Sequence, residues 1–231
     1  MLKNQYILET IAHGLGDMLD QFVFVGGSVI ELYASHNIFA DVRQTDDVDC
    51  IVEVSSKANY DALEYKLRQY GFLDDMSEDA PICRKLYQGI KVDFMPTEES
   101  ILQFTNRWYK KGFQKAQFYP LSDKKYIKIL PASYFIAAKL EAFFSPYRKY
   151  NLDVYASHDF EDIIYILDNC DNIVQLIATS DSSVKSYIQQ QFNFLLKNKP
   201  IIYALNGILR DEENEAKVFG IFKNIASSKI Q

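Results

Sequence analysis

Three aspartates, two of them at strand-like spacing, are the residues of this chain best suited to chemistry. Asp47 and Asp49 lie in Arg43-Gln44-Thr45-Asp46-Asp47-Val48-Asp49-Cys50-Ile51-Val52-Glu53-Val54. Side chains alternate along a strand, so Val48, Cys50, Val52 and Val54 share one face, expected to be the core. Asp47, Asp49, Ile51 and Glu53 share the other. Two carboxylates side by side at the mouth of a buried strand repel unless a divalent cation lies between them; the alternative is a solvated acidic turn. Asp93 is a lone acid in Leu86-Tyr87-Gln88-Gly89-Ile90-Lys91-Val92-Asp93-Phe94-Met95-Pro96, which reads as a hairpin turning near Gly89 with Lys91, Asp93 and Met95 on one face. If its strand neighbours that of Asp47, Asp93 is a third carboxylate of the same site; if not, it is an edge-strand acid in water.

Upstream, Gln21-Phe22-Val23-Phe24-Val25-Gly26-Gly27-Ser28-Val29-Ile30-Glu31-Leu32 runs from an apolar strand through two glycines into a helix opening on Ser28. Glycines let the backbone turn sharply and approach a ligand, and a helix start offers unpaired N–H groups to a phosphate. Ser28 and Glu31 equally fit a capping box that needs no ligand. Three carboxylates beside a Gly-Gly-Ser turn are what phosphoryl chemistry with Mg²⁺ requires. Two hold the triphosphate-bound metal, and a third helps place a second metal that lowers the pKa of an attacking hydroxyl.

The elements that must position these groups fall into two halves. Before Pro131, β-rich runs (21–25, 47–54, 82–87, 90–95 and 126–130) alternate with helical patterns such as Leu63, Leu67 and Tyr70. After it, helices are expected at 132–144, 158–169, 173–179, 184–196, 201–209 and 211–225. The expected fold class is therefore α/β (α+β), a mixed sheet flanked by helices over 1–130 followed by a helical bundle domain over 131–231. The 231 residues, 48% hydrophobic and 24% charged, suit globular structure and exclude wholesale disorder. Cys50, Cys83 and Cys170 are too widely spaced for a zinc or disulfide motif and read as reduced core thiols. No apolar run is long enough to span a membrane, and the N-terminus lacks signal-peptide features, so the cytoplasm is the expected location.

Gly26-Gly27-Ser28, then Arg43-x-Thr45-x-Asp47-Val48-Asp49, then Asp93 resembles the nucleotidyltransferase superfamily. The Arg-x-Thr-x-Asp-x-Asp wording is most similar to the AbiEii-type nucleotidyltransferases, toxin components of bacterial toxin–antitoxin systems. That group carries a Lys-Leu motif and a later basic-Asp-x-x-Asp motif, which Lys139-Leu140 and His158-Asp159-Phe160-Glu161-Asp162 resemble. The likeness covers roughly residues 22 to 167. It implies a nucleotidyltransferase fold in which Asp47, Asp49 and Asp93 hold Mg²⁺ in a two-metal site. It also implies that Gly26, Gly27, Ser28, Arg43, Thr45, Lys139 and Asp159 bind the NTP, and that the second domain completes the nucleotide and acceptor cleft. From its apolar helical neighbours alone, Lys139 either snorkels to solvent or meets a buried anion. His158 stands where the family usually has Lys or Arg, and a neutral imidazole does not supply that charge to a phosphate; Arg148 or Lys149 are the candidates to replace it. The implied activity is transfer of an NMP to an acceptor hydroxyl with release of pyrophosphate, the acceptor being RNA such as a tRNA 3′ end, with an antitoxin protein as partner. The alternatives are a small-molecule acceptor, as in aminoglycoside-modifying relatives, a protein hydroxyl, or a nucleotide-binding interaction module without catalysis.

A net charge of −6 speaks against indiscriminate nucleic-acid binding, but it averages opposed regions. Residues 41–99 hold 7 basic and 14 acidic residues, whereas 101–130 hold Arg107, Lys110, Lys111, Lys115, Lys124, Lys125 and Lys128 against Asp123 alone. Phe104, Trp108, Tyr109, Phe113, Phe118, Tyr119 and Tyr126 are interleaved with them. That mixture suits a single-stranded nucleic acid, with cations on phosphates and rings on bases, and is where the RNA acceptor implied by the resemblance would bind; the plain alternative is core rings beside solvated lysines.

Overall fold

The computed structural model describes residues 3–36, 43–122, 125–209 and 211–228. Contacts group the chain into two units, one of Met1–Leu32 with Phe39–Pro131, the other of Tyr33–Ile38 with Ala132–Gln231.

The first unit is built on a seven-stranded mixed sheet of β1 (Phe22–Val25), β2 (Asp47–Val52), β3 (Leu73–Asp74), β4 (Arg84–Tyr87), β5 (Ile90–Pro96), β6 (Gln117–Ser122) and β7 (Lys125–Ile129). Their spatial order is β3-β4-β5-β2-β1-β7-β6. β2 and β5 are parallel, which requires a crossover, and α2 (Lys57–Gln69) lies in that connection. Ser56 caps α2 by accepting from the Asn59 N–H. Leu63 and Leu67 are buried, and the Tyr60 hydroxyl donates to the Phe94 carbonyl at 2.7 Å. β4 and β5 form a hairpin closed at Gln88 and Gly89, both at positive φ (49° and 80°), the conformation that a two-residue hairpin turn demands. α1 (Lys3–Leu15) and the short helices α3 (Glu99–Leu102) and α4 (Tyr109–Gln114) complete the unit.

Several local expectations change. The segment after Gly26 is a 3₁₀ helix, Gly27–Tyr33, and it opens at Gly27. The capping box does not form, because the Ser28 hydroxyl turns back to the Val25 carbonyl at 3.5 Å while Glu31 accepts from Asn4 at 2.9 Å. β2 ends at Val52, leaving Val54 outside it, and Ile51 is buried on the face of the acids. β6 escapes the strand pattern because Pro120 interrupts it. At a sheet edge a proline is tolerated, and the pairing shifts register there, between Pro120 and Ser122.

The second unit is helical: α5 (Ala132–Phe144), α6 (His158–Asn169), α7 (Ile173–Ala178), α8 (Ser182–Asn198), α9 (Ile201–Ile208) and α10 (Glu212–Ser227). Ser157 and Asp211 cap α6 and α10 through the N–H groups of Phe160 and Asn214. Its core contains Phe143 against Phe160 (ring centroids 5.5 Å apart) and Phe192 stacked on Phe222 at 4.0 Å. Cys50, Cys83 and Cys170 are free and buried. Among the described residues no helix is long and apolar enough to cross a membrane.

Candidate functional site

Strand register assembles the acids. Asp49 pairs with Asp93 across β2 and β5, Asp93 with Arg84 across β5 and β4, and Asp49 with Val25 at the end of β1. Residues opposite one another share a sheet face, so Arg84, Asp93 and Asp49 form a row across three strands, with Asp47 two residues before Asp49. The neighbouring Lys85 points the other way, towards α2, and is buried between Glu64 and Asp74, each at 2.5 Å.

Gly26 sits at the end of this row at φ 73°, and a Cβ built on it would lie 1.9 Å from Asp49 Oδ2. The Asp49 carboxylate thus occupies the space that a side chain at position 26 would take. Gly27 gives similar room to Arg43, whose Nη2 would be 3.0 Å from a Cβ there. Thr45 is buried and its hydroxyl donates to Asp47 Oδ1 at 2.5 Å, fixing that carboxylate. Ser28 is buried. Gly26, Gly27, Arg43, Thr45, Asp47, Asp49 and Asp93 therefore lie within one unit, around one edge of the acid row.

Sequence reasoning did not single out two residues of this arrangement. Asn4, 1% exposed, donates to Glu31 and to the Arg43 carbonyl (3.3 Å) and accepts from the Thr45 N–H (3.1 Å), so it ties the segment before β2 to α1. Burial raises the Glu31 carboxyl above its usual range, and the Asn4 amide partly opposes that rise. Replacing Asn4 by Ala is expected to cost about 1–3 kcal/mol, measured by denaturant unfolding, because the buried Thr45 N–H loses its acceptor. A variant as stable as the native chain would contradict this role.

Arg84 is the second. Its Nε and Nη2 donate to Asp93 Oδ1 and Oδ2, each at 2.7 Å, and Nη2 lies 3.9 Å from Asp47 Oδ2. The Asp93 hydrogen bonds hold the guanidinium above its usual pKa against the opposing effect of burial, with help from Asp47 and Asp49. The acid row is felt nearby: burial and then Asp93 push the Cys83 thiol up to about 12. Burial, with Asp49 and Asp93, also raises Cys50 well above the usual thiol range. The signal for Arg84 was the hairpin register, since pairing Tyr87 with Ile90 puts residue 84 opposite residue 93.

Lys139 neither snorkels nor stands free. Its ammonium is buried in the helical unit, 3.1 Å from Asp159 Oδ1 and 2.6 Å from Asp162 Oδ2. Arg148 Nε approaches Asp159 at 3.7 Å, and His158 faces Glu161 at 3.2 Å. In the basic stretch, Trp108 is buried, Lys110 pairs with Glu98, and Asp123 and Lys124 lie outside the described residues. Phe118 and Tyr126 are 64% and 54% exposed. Lys128 is the cross-strand partner of Phe118 and lies two residues after Tyr126 on β7, its Nζ 5.4 Å from the Phe118 ring centre and 2.7 Å from the Asp20 carbonyl.

Hard carboxylate oxygens are the donors a Mg²⁺ ion takes. Asp47 and Asp49 present them from one strand face, so the residues fit one such ion. Asp93 has its carboxylate paired with Arg84, so an ion there would lie against a positive charge. Among the described residues no group of three His, Cys, Asp or Glu side chains is disposed to hold a metal ion. No protein-family model matches the chain, and no curated protein matches it.

Proposed function

We propose that this chain is a Mg²⁺-dependent nucleotidyltransferase of the AbiEii-like toxin type, moving an NMP from an NTP to a hydroxyl of RNA. The observation that carries this reading is the row Gly26–Asp49–Asp93–Arg84 with Asp47 beside it. It sets carboxylates on adjacent strands of a mixed sheet, with Asp49 lodged against a glycine turn that leaves it room. The bound ion supplies charge neutralisation for the triphosphate and its leaving group. Asp47, steadied by Thr45, and Asp49, wedged at Gly26, fix where that charge sits. Arg43 adds a cation over Gly27. The acceptor oxygen forms a bond to the α-phosphorus, the bond to the bridging α–β oxygen breaks, pyrophosphate leaves, and the hydroxyl proton passes to water. The exposed Phe118–Lys128–Tyr126 face supports an RNA acceptor, since rings stack on bases and the cation meets phosphate. Lys139 has its charge committed to Asp159 and Asp162, so the proposal rests on residues of the sheet unit alone. An antitoxin partner belongs to the same reading and follows from the resemblance.

Incubating the protein with each α-labelled NTP, Mg²⁺ and total cell extract is expected to put label into RNA. Asp47→Asn and Asp49→Asn are each expected to reduce transfer by about 100-fold or more. Label in protein or in small metabolites would replace RNA as the acceptor, and no label anywhere would overturn the enzyme.

A further inference from the structure

We propose that Arg84 takes the place of a second metal ion: the acid row binds a single divalent cation, on Asp47 and Asp49, while Asp93 remains committed to the guanidinium. The inference rests on the nucleotidyltransferase reading for its metal and departs from the two-metal site which that reading brings with it. Its first support is geometric. Both carboxylate oxygens of Asp93 are engaged at 2.7 Å by two different nitrogens of Arg84, a fork-to-fork pair that places a fixed positive charge against the carboxylate, so a divalent ion on Asp93 would have to sit beside the guanidinium.

The second support is shielding. The Arg84 and Asp93 side chains are only 18% and 11% exposed, so separating them would strand two poorly hydrated charges, whereas Asp47 is 41% exposed and open to an incoming ion. The third is formal charge. Asp47, Asp49 and Asp93 carry three negative charges, Arg84 balances one of them and Arg43 lies by Gly27 at the glycine end of the row, so little negative charge is left to hold a second divalent ion. The guanidinium also has N–H groups beyond the two spent on Asp93, and their chemistry suits phosphate oxygens. It therefore reproduces the electrostatic role of a second ion without a coordination sphere.

The experiment counts ions. The protein alone is titrated with Mn²⁺, and free Mn²⁺ is followed by electron paramagnetic resonance. The native chain is expected to bind one ion, Asp47→Asn to lose it, and Arg84→Gln to bind two, a twofold rise, because Asp93 is released. Arg84→Lys keeps the positive charge and is expected to stay at one. Circular dichroism checks that each variant is folded, and the native count stands as a test if Arg84→Gln does not fold. Two ions on the native chain, none on it, or one on a folded Arg84→Gln would each overturn the proposal. The transfer assay separates it from the parent reading: two ions with labelled RNA sinks only the role of Arg84, and one ion without any labelled product sinks only the enzyme.

Discussion

Gly26→Ala is expected to lower Mn²⁺ affinity by about 10-fold or more and to destabilise the sheet unit by about 2–4 kcal/mol. A Cβ at position 26 would stand 1.9 Å from Asp49 Oδ2, 2.8 Å from its Cγ and 3.0 Å from its Cβ. Neither backbone can yield cheaply, because Val25 and Asp49 are partners in the β1–β2 ladder and Asp49 is also in register with Asp93 on β5. The φ of 73° adds the cost of holding an L-residue in the left-handed region, about 1–2 kcal/mol. The carboxylate must rotate out of the row or the strand must shift, and either change removes an oxygen donor. Gly27→Ala is the control. The nearest atom to its added Cβ is Arg43 Nη2 at 3.0 Å, the far end of a flexible side chain, so a smaller loss is expected. Urea unfolding with Mn²⁺ titration measures both. Equal effects at 26 and 27 would show that the lodging of Asp49 is not what the first glycine provides.

What the sequence revealed about this site follows from the two-residue period of strands. Alternation alone placed Asp47 with Asp49 and separated Asp93 from Val92 and Phe94, and the strands carry those faces. The side-by-side pairing of β2 and β5 is a contact between segments some 44 residues apart, and spacing could state it only as a condition. Local chemistry misled at Ser28. A serine three residues before a glutamate satisfies a capping pattern, yet Glu31 is claimed by Asn4 from α1 and the segment winds as a 3₁₀ helix. That competition is invisible without the fold. Proline hid β6, because Pro120 contradicts a central strand but suits an edge. The helices of the second unit were readable to within one or two residues at most ends, because amphipathic runs, Ser157 and Asp211 mark them. Lys139 shows the converse. Its helix was readable, but the identity of its buried anion depends on how α5 and α6 meet.

Lys139→Met is expected to destabilise the helical unit by about 3–5 kcal/mol, since it removes the cation shared by two buried carboxylates. Lys139 lies 3.1 Å from Asp159 and 2.6 Å from Asp162, and those two side chains are only 14% and 4% exposed. Without the ammonium two shielded carboxylates lose the cation they share, and Arg148, 63% exposed and 3.7 Å from Asp159, is too open to water to replace it. Adding Asp162→Asn to Lys139→Met is therefore expected to recover part of the loss by removing the deeper charge. The pH dependence has a definite sign. Burial works to lower the Lys139 pKa, but Asp162 and Asp159 outweigh it and hold it above the ordinary lysine value of 10.5. A group raised on folding contributes its full stabilisation below its unfolded pKa and loses it as pH climbs through the folded one. The stability gap between native chain and Lys139→Met should thus be constant from neutral pH to about 10.5 and shrink above it. Denaturant melts across that range measure the gap. A gap that widens with rising pH, or a folded Lys139→Met of native stability that has lost only NTP transfer, would mean that the lysine serves a phosphate and not the two aspartates beside it.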